Sequence, residues 1–122
     1  ESNFPYKKKQ GWMDVSLDSA IEDNEYLETL NKTLKLIQDQ ITPDIVLYDA
    51  GVDVFSKDKL GNLQLSFDGI KKRDELVLDH YRKKNIPVAT VIGGGYSKDY
   101  AELADRHSII FDVAFKYLNK KN

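Results

Sequence analysis

Two clusters in this sequence carry residue types that do chemistry. The first is Asp49-Ala50-Gly51-Val52-Asp53, with Asp58 five residues further on; the second is Gly93-Gly94-Gly95-Tyr96. Carboxylates are oxygen donors, so Asp49 and Asp53 are candidates to hold a divalent cation. Aspartates in loops also cap turns by accepting from nearby amides, and for all three acids that reading stays open. Three glycines in a row exceed what a tight turn requires and let main chain approach a ligand closely, which makes Gly94 and Gly95 candidate substrate contacts. Tyr96 then supplies a phenol able to donate one hydrogen bond. This is not a phosphate loop of either familiar kind: no Lys-Ser or Lys-Thr follows at the Walker spacing, and the dinucleotide fingerprint lacks its third glycine.

Each cluster follows an apolar run, Ile45-Val46-Leu47-Tyr48 before the first and Val88-Ala89-Thr90-Val91-Ile92 before the second. Such runs read as strands of a parallel sheet buried on both faces. Ligands in open α/β sheets bind beyond the carboxyl ends of the strands, so adjacent parallel strands would bring both clusters to one rim. Three helices are predicted around them. The first starts near Asp23, carries Tyr26, Leu27, Leu30, Leu34, Ile37 and Ile41 at helical spacing, and stops at Thr42-Pro43. Ser66 caps the second, which buries Ile70, Val77, Leu78 and Tyr81 and runs to Asn85. Ser97 is expected to cap the third, with Tyr100, Leu103, Ala104, Ile110, Phe111, Ala114 and Leu118 as its core positions. Residues 49–65 read as a long loop, and Met13, Val15 and Leu17 alternate with polar neighbours as a short edge strand would. The order is that of an α/β protein with right-handed crossovers. Two strands are too few to bury both sheet faces, so further strands are expected from elsewhere.

Composition bounds the partners. The chain has 122 residues, 41% hydrophobic and 31% charged, the size of one domain or a piece of one. A formal charge of -2 gives no field to recruit nucleic acid or an anionic membrane. Cysteine is absent, which removes disulfides, thiolate nucleophiles and cysteine-ligated zinc. No apolar run approaches the ~18 residues of a membrane span, and Lys7-Lys8-Lys9 is followed by no signal core, so a cytoplasmic location is the expectation. The start at Glu1 rather than Met fits either a fragment or a processed protein. His80 and His107 fall in helices without a second His at metal spacing and read as structural; Trp12 and Met13 read as packing residues.

Taken together, Pro43-Asp44-Ile45-Val46-Leu47-Tyr48-Asp49-Ala50-Gly51-Val52-Asp53, Asp58-Lys59-Leu60-Gly61, Gly69-Ile70-Lys71-Lys72-Arg73-Asp74 and Gly93-Gly94-Gly95-Tyr96 resemble the histone deacetylase superfamily, in particular its class IV and bacterial members. Upstream, Asn3-Phe4-Pro5, Asp14-Val15-Ser16-Leu17 and Asp23-Asn24-Glu25-Tyr26-Leu27 extend the likeness over nearly the whole chain. The resemblance implies a three-layer α/β/α arginase/deacetylase fold, with residues 1–122 as the carboxyl-terminal part of one catalytic domain. It also implies hydrolysis of the amide of acylated lysine or a related acylated amine, with zinc, or ferrous iron, as the cofactor. Carried over by motif, Asp53 matches a metal ligand and Tyr96 the tyrosine that hydrogen-bonds the substrate carbonyl; Asp58 matches a loop acid without an assigned step. The family's His-His pair and Asp-x-His ligands are not in this sequence, so the chain alone is expected to be inactive, to require the amino-terminal part of its own domain, and to be liable to self-association at exposed sheet edges. The rival readings are a receiver-like module, from the strand ending in Asp49, and a phosphate-binding module built on the glycines.

Overall fold

The computed structural model describes Lys7 and residues 9–118. Helix α1 spans Asp23–Gln40, with Asp23 and Glu25 in its first turn, and it stops where Ile41 turns extended ahead of Pro43. Helix α2 spans Phe67–Arg82, and Ser66 caps it as predicted, its Oγ accepting from the Gly69 amide at 3.0 Å. Asp23 ties the two helix starts together, accepting from the Ser66 amide at 2.8 Å and from the Ser66 hydroxyl at 2.6 Å. The chain leaves α2 through Asn85 at φ 57°, a left-handed conformation that Asn tolerates. Along α2, Ile70, Val77, Leu78 and Tyr81 are buried as expected, and so are Arg73 and Asp74.

Strands β1 (Val46–Asp49) and β2 (Val88–Val91) pair in parallel, in the register Val46↔Val88 to Asp49↔Val91. Val46, Tyr48 and Val88 turn toward Leu34, Val77, Tyr81 and Ile86. The alternate residues face away from the helices, and Leu47 is 81% and Val91 58% exposed. Both strands were expected to be buried on two faces; among the described residues all three helices lie on one side, and the second face of the sheet is bare.

Helix α3 spans Tyr100–Leu118. Two expectations about it are corrected. Its cap is Asp99, which accepts from the Ala101 and Glu102 amides at 3.1 Å each, whereas Ser97 accepts from the Asp99 amide. Of its expected core positions Leu103, Ile110 and Ala114 do pack on the core, joined by Arg106, Ile109, Val113 and Tyr117, whereas Tyr100, Ala104, Phe111 and Leu118 point to solvent. The buried face is centred on a guanidinium, a position that an apolar pattern leaves out.

Two further readings fail. Residues 13–17 form no strand; Val15 and Leu17 instead lie beside Tyr26, Leu30 and Thr33 of α1. Trp12 is 62% exposed rather than packed. Asn3-Phe4-Pro5 and Glu1 lie outside the described residues. Residues 50–65 are a loop, as read, but a folded-in one. Ala50, Val52, Phe55 and Leu65 are buried with Ile70, Leu78, Ile109, Ile110 and Val113 in the main core, and Phe55 bridges Leu65.

Candidate active site

Because β1 and β2 run side by side in the same direction, their carboxyl ends open onto one rim, and the loops leaving them touch at once. The Ala50 amide donates to the Val91 carbonyl at 2.9 Å, and the Val52 amide donates to the Gly94 carbonyl at 2.6 Å. The glycines leave room for that approach. A Cβ on Gly93 would overlap the Asp49 carboxylate, and one on Gly94 would stand 2.5 Å from Asp53 Oδ2. Gly95, at φ 154°, has no room either, since its Cβ would meet Val52 at 2.6 Å and the His107 imidazole at 3.3 Å. Thus Gly94 borders the Asp53 carboxylate, whereas Gly95 packs inward on the core.

The three acids divide. Asp49 accepts from the Gly51 amide at 3.0 Å, the turn-capping role left open by the sequence. Asp58 is buried; its Oδ1 accepts from the Leu60 and Gly61 amides at 2.9 and 3.0 Å, and its Oδ2 accepts from the Tyr96 amide at 2.6 Å. Asp53 is exposed, and its carboxylate takes no hydrogen bond from any described residue. Of the three it alone is unengaged at the rim. Tyr96 stands two residues past Gly94, with its side chain partly open to solvent.

Behind the rim lie residues that the sequence reading missed. Arg106 of α3 is fully buried, its Nη1 3.5 Å from Asp58 Oδ2 and its Nε 3.0 Å from Glu102 Oε1. It donates to the carbonyls of Val52 at 3.3 Å and Tyr96 at 3.1 Å, and its guanidinium lies over the Phe55 ring at 4.8 Å. Arg73 of α2 donates to the Gly51 carbonyl at 2.6 Å and to Asp74 at 2.9 Å, and Asp74 accepts the Tyr48 hydroxyl at 2.6 Å. Burial pushes the Tyr48 phenol well above its ordinary range, against the pull of Arg73, so it remains a donor. Burial likewise raises Asp74, with Arg73 and the Tyr48 hydroxyl opposing it. The spacing Leu103-Arg106-Ile110-Val113-Tyr117 was the available signal for Arg106, because it sets a cation in the middle of a helical stripe.

Neither His80 nor His107 joins a group of potential metal ligands among the described residues. His80 sits on α2 beside Lys84, 2.7 Å away, and edge-on to Tyr81. His107 lies under Gly95. No three His, Asp or Glu side chains among the described residues converge on a point where a metal ion could be held. The donor chemistry of Asp53 therefore fits one position of a metal site rather than a whole one, as zinc takes about three protein ligands.

Comparison with known proteins follows the same lines. The sequence is 40% identical over 114 residues to an uncharacterized protein of Picosynechococcus sp., covering 93% of this chain and 38% of that protein. It is 39% identical over 89 residues to histone deacetylase 2 of Arabidopsis thaliana, covering 73% of this chain and 23% of that protein. Its fold superposes on the crystal structure of an HDAC homolog from Aquifex aeolicus with a TM-score of 0.76 at 24% identity, over 93% of this chain and 32% of that one. The chain therefore spans well under half the length of each of these proteins. The sequence model of the histone deacetylase domain matches residues 3–109, and with the parallel strands, their carboxyl-end loops and the acid and phenol they carry in place, the chain belongs to the histone deacetylase family.

Proposed function

We propose that this chain is the carboxyl-terminal part of the catalytic domain of a metal-dependent deacetylase, which hydrolyses the amide of an acylated lysine or a related acylated amine. The supporting observation is the shared rim: register-locked strands deliver the unengaged Asp53 carboxylate against Gly94, two residues before Tyr96. Asp53 would hold one coordination position of a zinc or ferrous ion, the other ligands coming from the part of the domain that the relatives possess beyond the matched stretch. A bound divalent ion supplies a Lewis acid and an acidified water at neutral pH. The Tyr96 hydroxyl donates to the substrate carbonyl oxygen and strengthens that bond as negative charge builds on it. Gly94, without a side chain, keeps the floor between acid and phenol open for the acyl group. The bare sheet face bearing Leu47 and Val91 is where the third layer of the domain would pack.

A phosphate-binding or receiver-like module has less support. The Tyr96 amide is already held by Asp58 and the first amides of α3 by Asp99, and the carboxylates of Asp49 and Asp53 border the glycines, where an anion would be repelled.

In the complete protein, Asp53→Asn should abolish stable zinc binding, while Tyr96→Phe should keep zinc and lower kcat on an acetyl-lysine peptide by about 10²- to 10³-fold. The 122-residue chain alone should release no acetate. Full zinc occupancy in Asp53→Asn, or turnover by the chain alone, would sink the proposal.

A further inference from the structure

Two buried arginines reach the rim from behind. Arg73 donates to the Gly51 carbonyl and Arg106 to the Val52 carbonyl, successive peptide groups immediately before Asp53. Only Arg106 crosses to the second loop. Its Nη2 donates to the Tyr96 carbonyl at 3.1 Å, while its partner Asp58 accepts the Tyr96 amide at 2.6 Å. Both main-chain polar groups of Tyr96 are thus held by one ion pair, whose side chains have no exposed surface. Glu102, 3.0 Å from Arg106 Nε, braces the guanidinium from within α3.

A buried ion pair adds little stability over an apolar pair, because both charges must be stripped of water. What this pair specifies is the placement of one rim loop relative to the other. Resting on the reading of Asp53 and Tyr96 given above, we propose that Arg106, acting through Asp58, is a positioning residue for the hydrolysis: it fixes the Tyr96 phenol relative to the ion that Asp53 helps to hold, and touches neither substrate nor ion. The role needs the planar fork as well as the charge. A lysine opposite Asp58 has three donors on one flexible stem and cannot reach Val52, Tyr96 and Glu102 together.

The test uses the complete protein with zinc bound, an acetyl-lysine peptide as substrate, and the variants Arg106→Lys, Tyr96→Phe and their combination, with zinc content and folded fraction measured beside kcat and KM. Arg106→Lys should lower kcat by about 10- to 100-fold, the scale of a misplacement near 1 Å. KM should hardly change, and because Arg106 also holds the Val52 carbonyl next to Asp53, kcat is taken per zinc-loaded protein. In the Tyr96→Phe background the same substitution should cost little more, since the phenol whose placement it governs is gone. Arg73→Lys, which reaches only the Asp53 loop, should weaken zinc affinity and combine additively with Tyr96→Phe. Asp58→Asn, which keeps an acceptor for Leu60 and Gly61 but presents an amide NH2 to the Tyr96 amide, should repeat the non-additivity of Arg106→Lys and replaces it if that variant folds poorly. Additive losses for Arg106→Lys and Tyr96→Phe, or a loss that merely tracks missing zinc or folded protein, overturn the inference. Tyr96→Phe at the parental rate overturns instead the assignment of Tyr96, so the two failures are distinguishable.

Discussion

Replacing Gly94 by alanine separates stability from metal binding. The new Cβ would lie 2.5 Å from Asp53 Oδ2 and 2.8 Å from Asp53 Cγ, and Cβ atoms do not approach other heavy atoms closer than 3.0 Å. The carboxylate must therefore retreat by at least about 0.5 Å, beyond the ~0.2 Å within which metal-ligand distances are held. The retreat costs the fold little, because the displaced atoms end an exposed, flexible side chain and Gly94, unlike Gly95, has no positive φ. Gly→Ala at a compatible backbone position stabilises by ~0.4 to 1 kcal/mol through the unfolded state, which offsets the push on Asp53. Gly94→Ala in the complete protein should thus melt at or slightly above the parental temperature and yet bind zinc about 10- to 100-fold more weakly, the loss seen when a ligand's support is disturbed. Gly93→Ala, which collides with the turn-capping Asp49, should weaken zinc less. The assay is competition for zinc against a chromogenic chelator, run alongside a thermal melt. Parental zinc affinity in a folded Gly94→Ala protein would show that Asp53 is not a ligand.

Other perturbations reach the supports of the rim. Asp58→Ala leaves the buried Arg106 with Glu102 alone of its two carboxylates and should destabilise by about 3 kcal/mol in urea unfolding, the lower end of the cost of breaking a buried pair; a loss under ~1 kcal/mol would mean that water reaches the guanidinium. Ser66→Ala removes the α2 cap and the hydroxyl bond to Asp23, keeping the amide one, with an expected cost of about 1 kcal/mol, and an unchanged urea midpoint would refute that role. Burial, then Lys84 and Lys83, hold the His80 imidazole below its ordinary value, so between the folded and unfolded values the unfolded chain binds more protons and stability falls as pH drops below ~6.5. His80→Gln should flatten that acid-side slope in melts between about pH 7 and pH 5, and a slope unaltered by the substitution would assign it to other groups.

How far the sequence disclosed this arrangement depended on whether a signal was local. Ser66, the Thr42-Pro43 stop and the two apolar runs are short-range features, and α1, α2 and both strands formed within a few residues of where they were expected. The α3 stripe was misjudged because Arg106 faces inward, and a cation is stable there only by virtue of Asp58, 48 residues away, which periodicity within one helix cannot see. Ser97 and Asp99 are both competent caps two positions apart, and the backbone chose the second. Motif likeness singled out Asp49, Asp53, Asp58 and Tyr96 together, but which acid caps a turn, which forms an ion pair and which is left unengaged emerged only from the contacts of the folded loops.

The location of Arg106 in α3, after both rim loops, also bears on synthesis. As the chain leaves the ribosome, Asp53, Asp58 and Tyr96 all emerge before it, so a nascent polypeptide carries the acid and the phenol while the carbonyls of Val52 and Tyr96 still lack their common donor. Any polypeptide ending short of α3 would retain Asp53 and Tyr96 without the latch between their loops.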